Sequence, residues 1–194
     1  EMLNVWLVSA ESTQLLPEAE RGVFWSANCY MVLYSYSVSG APKSILYFWK
    51  GHDVSTRNFL TWRFQLSRLL QEMPSAPEPV MTAQSVEPTL FVALMEGMVV
   101  LVGAHPLTRP PPPPPPGGHA PTGADAEPVV ESLPTLSGAT LLQVKRYAAT
   151  ALGVVARQVP ARPEYLDSAD VCLLLHAPRA VLYFWVGAHA PAGL

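Results

Sequence analysis

Charge is scarce in this chain. Only 14% of its 194 residues are Asp, Glu, Lys or Arg, against roughly 25% in ordinary globular domains. The formal net charge of −3 spreads no broad positive field, which argues against nucleic acid as a partner. Cysteine is nearly absent. The two present, Cys29 and Cys172, sit inside apolar runs. That suits a reducing compartment and excludes a disulfide framework. No apolar run is long enough to cross a bilayer; the longest, at 90–104, is too short and carries Glu96. The first ten residues lack the basic start and apolar stretch of a signal peptide. The chain begins at Glu1 rather than methionine, so a fragment or trimmed product of something longer is expected. Catalytic motifs are missing too: there is no Cys-x-x-Cys, no His-Glu-x-x-His and no Gly-rich phosphate loop. His52, Asp53 and Ser55 crowd one turn, where adjacent positions do not place a triad. No catalytic residue is assigned and no enzyme activity is expected.

Apolar residues, by contrast, make up 49% of the chain, ample for a core. The run "SILYFWKG" (44–51) returns as "AVLYFWVG" (180–187), in a chain only 9% aromatic. Two further runs recur in the same order. "NVWLV" (4–8) and "ANCYMVLYSY" (27–36) are matched by "LLQVKR" (141–146) and "ADVCLLLHAP" (169–178). Leu46 and Leu182 stand 136 positions apart, and Ala27 and Ala169 stand 142 apart. Loops absorb differences of that size between duplicated units. Between the copies lie seven consecutive prolines, Pro110 to Pro116, and then Gly117, Gly118 and Gly123. Prolines favour extended polyproline II and cannot build helix or sheet interiors. The expected organisation is a complete unit at 1–106, a linker at 107–135 and an incomplete unit at 136–194.

The recurring runs are rich in Val, Leu, Tyr, Phe and Trp and are bounded by Gly, Pro, Ser and Asn, which marks strands. "ILYFW" shows no polar alternation, so both faces of its strand should be covered. Phe48, Trp49, Phe184 and Trp185 are expected to fill the space between sheet and helix. After Gly51, residues 55–73 carry Phe59, Trp62, Leu66, Leu69, Leu70 and Met73 at helical spacing. Ser55 or Thr56 can cap that helix and Pro74 follows its end. A short helix at 87–96 and a strand at 97–103 close the unit. The fold class expected is α/β (α+β), with a central mixed sheet between a long and a short helix.

These residues resemble the gelsolin/villin/flightless superfamily. The resemblance rests on "VWLV", on "GVFWSANCYMVLYSY" at the place of a Gly-Asp-Ser-Tyr-like strand start, on "YFWKG", and on "VEPTLFVALMEGMVVLVG". "LDSADVCLLLHAPRAVLYFWVG" resembles a second such domain. The nearest branch is that of flightless and villin, the first unit resembling the fourth domain of flightless-type proteins and the second the fifth. The resemblance implies actin binding, calcium control in many members, a cytoplasmic and cytoskeletal location, and nuclear co-regulation in flightless relatives.

It also implies sites. The family's calcium ligands are a loop carbonyl, the aspartate of Gly-Asp-Ser and a helix glutamate, an all-oxygen set suited to a hard cation. Here the pair is Ala27–Asn28, and Arg57–Asn58 stand where the glutamate should be, so the first position is degenerate. The second unit keeps Asp170 with the Ala169 carbonyl, a partial calcium site. The family's long helix docks on actin by its outward face; here Leu60 and Phe64 lie opposite the apolar stripe, flanked by Arg57, Ser67 and Arg68. Arg109 with Pro110, Pro113 and Pro116 has the form of a ligand for SH3- or profilin-type partners. The rival reading is a scaffold or co-regulator that has lost actin and recruits partners through this tract.

Overall fold

The structure is a computed structural model. It describes all residues except 10–11, 73–76, 78, 110–137, 147–152 and 192–194. The architecture is α+β, built on two sheets.

The first sheet holds β1 (Met2–Val8), β2 (Thr13–Leu15), β4 (Cys29–Val38), β5 (Ala41–Lys50) and β6 (Val80–Ala83), in the order β2-β1-β4-β5-β6. The β1–β4 and β4–β5 pairs are antiparallel, and β6 runs parallel to β5. Alternation splits β5 between two cores, as its unbroken apolar run requires. Tyr47 and Trp49 point to one face, against Phe91 and Val92 of α2 (Thr89–Leu94) and Phe24 of β3 (Val23–Trp25). Leu46 and Phe48 point to the other, against Val54 and against Trp62 and Leu66 of α1 (Thr56–Glu72). Ser55 caps α1, its Oγ accepting from the Asn58 amide at 3.2 Å. Phe59 and Leu70 complete the buried stripe in part. Met73 lies outside the described residues.

The second sheet runs β11-β10-β8-β9-β7-β3. It joins β8 (Ala139–Arg146), β9 (Val154–Val159), β10 (Val171–His176) and β11 (Val181–Val186) to β7 (Met98–Leu101) and β3 of the first repeat. The junction is the parallel pairing of β7 with β9, with Met98 opposite Val155. Val155 is fully buried in the core that also holds Phe24 and Trp49. The repeats keep one strand order. β2-β1-β4-β5 of the first copy reappears as β9-β8-β10-β11 of the second.

The glycine ending each repeat has a local cause. A Cβ on Gly51 would stand 2.1 Å from the Ser26 carbonyl oxygen, and one on Gly187 would stand 2.2 Å from that of Ser168. Only a residue without a side chain lets the strand end cross the loop that starts β4 or β10. The crossing is fixed by the Gly51 amide donating to the Asn28 carbonyl at 3.0 Å and the Gly187 amide donating to that of Asp170 at 2.9 Å.

One expectation fails. Trp49 and Phe48 are fully buried, but Phe184 is 70% exposed and Trp185 only half-buried. The cause is the surroundings rather than the strand. β5 is flanked by β6 and covered by α1 and α2, whereas among the described residues β11 pairs with β10 alone and no helix covers it.

Candidate functional site

The loop entering β4 places Asn28 at the centre of a clasp, 1% exposed. Its Oδ1 accepts from the His105 amide at 2.7 Å, and its Nδ2 donates to Thr108 Oγ1 at 3.0 Å. Thr108 Oγ1 donates in turn to the His105 carbonyl at 3.0 Å. The side chain at the degenerate metal position therefore holds the segment after β7. His105 is locked as well. Its Nδ1 accepts from the Leu107 amide at 3.2 Å, so Nε2 carries the proton and donates to Glu20 Oε2 at 3.1 Å. Burial pushes the imidazole below its ordinary pKa, against the opposing pull of Glu20. Nearby, Ser26 Oγ donates to Asp53 Oδ2 at 2.5 Å, and this bond, helped by His52, holds the Asp53 carboxyl below its usual range. Ala27 is half-buried in the same loop, its amide donating to the Gly103 carbonyl at 2.9 Å.

The corresponding loop of the second unit presents Asp170, 8% exposed, beside an exposed Ala169. Asp170 Oδ2 accepts from Gln143 Nε2 and lies 3.7 Å from Lys145 Nζ. A hard dication wants six or more oxygens. At Asn28 the amide is spent on protein partners, and at Asp170 the one carboxylate faces an ammonium. Among the described residues no group of three or more His, Cys, Asp or Glu is placed to hold a metal ion.

The outward face of α1 has the arrangement that its spacing predicts. Leu60 is 61% and Phe64 71% exposed, and Arg57, Ser67 and Arg68 are exposed around them. The Ser67 hydroxyl donates back to the Arg63 carbonyl at 3.1 Å. Arg109 is held differently from a residue waiting for a ligand. Its guanidinium lies 5.1 Å over the Trp25 ring and its Nε donates to the Ala104 carbonyl at 2.9 Å. Pro110, Pro113 and Pro116 lie outside the described residues.

Sequence reading missed Glu87 as a junction. Its carboxylate is buried; Oε1 accepts from the Trp49 indole at 3.2 Å and from the Ser85 amide at 3.0 Å, and Oε2 pairs with Arg157 of β9 at 3.1 Å. One side chain thus ties the repeated tryptophan to the second unit. Its signal was the acidic residue before a proline in an otherwise apolar stretch.

No protein-family model matches the chain. Relatives do. Mouse (Mus musculus) advillin is 32% identical over 101 residues, 51% of this chain and 12% of that protein. Protovillin of Dictyostelium discoideum is 26% identical over 190 residues, 97% of this chain and 18% of that protein. Gelsolin of Xenopus laevis is 30% identical over 102 residues, 51% of this chain and 24% of that protein. The matches support a likeness of the chain to proteins of the gelsolin/villin superfamily. The chain spans a quarter or less of the length of those relatives. Among solved structures, the Thorarchaeota 2DGel3/rabbit actin complex matches 99% of this chain and 80% of that chain at 16% identity and a TM-score of 0.40. That likeness is too low to bear on function. No helix among the described residues is long and apolar enough to cross a membrane.

Proposed function

We propose that the chain is a non-enzymatic actin-binding module of the cytoskeleton, on the villin and flightless side of its superfamily, acting by surface docking. The observation that carries this reading is the Leu60–Phe64 pair, more than half exposed on a helix whose opposite face is buried. An apolar pair one turn apart, ringed by arginines, suits a helix-in-groove contact with an acidic partner surface. The units at 1–106 and 136–194, with the linker at 107–135 between them, are the modules of this reading.

The test is co-sedimentation with filamentous actin. Leu60→Asp combined with Phe64→Asp is expected to weaken binding at least ~10-fold, as for loss of an interface anchor, with an unchanged melting temperature. Unchanged sedimentation would remove this face from the actin contact. The same assay with and without calcium addresses the metal. The resemblance puts Asp170 and the Ala169 carbonyl in a partial calcium site, two of the six or more oxygens such an ion takes, and puts no ligand at Asn28. A calcium response lost in Asp170→Ala supports that assignment, and a response that survives the substitution contradicts it.

A further inference from the structure

The clasp on Asn28 holds a short segment, 103–109, that ends where the seven prolines begin. One imidazole closes this segment on itself. His105 precedes a 3-10 turn, Pro106–Thr108, and caps it: Nδ1 accepts from the Leu107 amide at 3.2 Å. Pro106 brings no amide, so Leu107 carries the first N–H of the turn. The Thr108 amide donates to the His105 carbonyl at 2.9 Å, and the Arg109 amide to that of Pro106 at 3.2 Å. Arg109 then lies back over the Trp25 ring.

The cap is an acceptor only while the imidazole is neutral. Nε2 already carries a proton, which it donates to Glu20 Oε2. A second proton has one place to go, Nδ1, where it faces the Leu107 N–H, donor against donor. Little water reaches the pair: the His105 side chain is 6% exposed and that of Glu20 16%. The charged groups around the ring oppose one another. Glu20, in the 3-10 turn Glu18–Glu20, favours the imidazolium, and Arg109 on the segment itself disfavours it. β3 contributes the Trp25 ring, edge-on at 6.3 Å between centroids, and the loop entering β4 contributes the neutral Asn28 amide. Burial outweighs Glu20 and holds the clasped imidazole below its ordinary pKa. A ring released to water titrates at about 6.5. The released state therefore binds the proton more readily. Above that pH the clasp loses nothing, and as pH falls below it the balance moves from closed to released.

We propose that the clasp is a proton-operated latch at the entry to the polyproline tract: a proton on His105 Nδ1 uncaps the turn, and residues 105–109 leave Asn28 and free Arg109 from Trp25. Acid thereby exposes the arginine that opens the tract, which the closed clasp keeps occupied.

Hydrogen-exchange mass spectrometry of the whole chain reads the latch. Protection of 103–109, taken against the free-peptide rate at each pH, is expected to fall several-fold from about pH 7.5 to about pH 5.5, while β4 keeps its protection. His105→Gln is neutral throughout and should abolish the fall. Glu20→Gln keeps the imidazole but withdraws the charge that steadies its protonated form in the closed clasp, so there the fall should be larger. Protection of 103–109 that does not change with pH overturns the proposal. So does a fall that persists in a folded His105→Gln chain, or one that is smaller in Glu20→Gln. A fall shared equally by β4 also overturns it, in favour of acid loosening of the whole fold.

Discussion

Trp49→Ala is expected to destabilise the chain by about 3–5 kcal/mol, the range for deleting a buried large aromatic. Trp49 is fully buried and packs on Phe24 and Tyr30 at centroid distances of 5.0 and 5.7 Å. Truncation leaves a cavity between close-packed rings that cannot collapse onto one another. It also removes one of the donors to the buried Glu87 carboxylate. The matched control is Trp185→Ala. That residue holds the same place in the repeat but is only half-buried, so about 1 kcal/mol is expected. Thermal melting separates the two. For a chain of this size, Trp49→Ala should lower Tm by roughly 10 °C, and equal shifts for the two variants would refute the asymmetry of the units.

The second large effect is expected at Arg157. Glu87 has a fully buried carboxylate, and Arg157 approaches it at 3.1 Å with 21% of its side chain exposed. Removing one partner of a buried pair leaves the other charge uncompensated, at a cost of about 3–5 kcal/mol. Solvent at the Arg157 end screens part of this, so Arg157→Met is placed near the lower bound, about 3 kcal/mol. Replacing both members, Glu87→Gln with Arg157→Met, should recover much of the loss, because no orphaned charge remains. The surface pair of Arg21 with Glu18, whose carboxylate end is 86% exposed, offers the contrast. Arg21→Met is expected to cost under ~1 kcal/mol. Urea denaturation measures all of these. If Arg157→Met proves as mild as Arg21→Met, the Glu87 junction does not hold the units together.

What the sequence disclosed follows from the range of the forces involved. The "LYFW" strands, α1 and the exposure of Leu60 and Phe64 are written in local periodicity, which one residue and its near neighbours decide. The clasp on Asn28 is not local. Its partners His105 and Thr108 lie 77 and 80 residues away, and only chain folding brings an amide to both. β7 falls within the strand expected at 97–103, but β3, three residues long, is too short to leave a periodic mark, and the parallel pairing of the two is not local. β9 interrupts its apolar run with Arg157 and Gln158, which read as solvated until Glu87 and the Val102 amide are placed beside them. The same locality explains the error at Phe184. A strand's sequence states what it can bury, and its neighbours decide whether it does.

The central claim is that one unit is used twice, closed around Trp49 and open at Trp185. Hydrogen-exchange mass spectrometry of the whole chain tests it most directly. Amides of 47–50, with a strand on either side, should exchange at rates set by global unfolding. Those of 181–186, paired on one side only among the described residues, should exchange far sooner. Equal protection of the two segments would contradict the account.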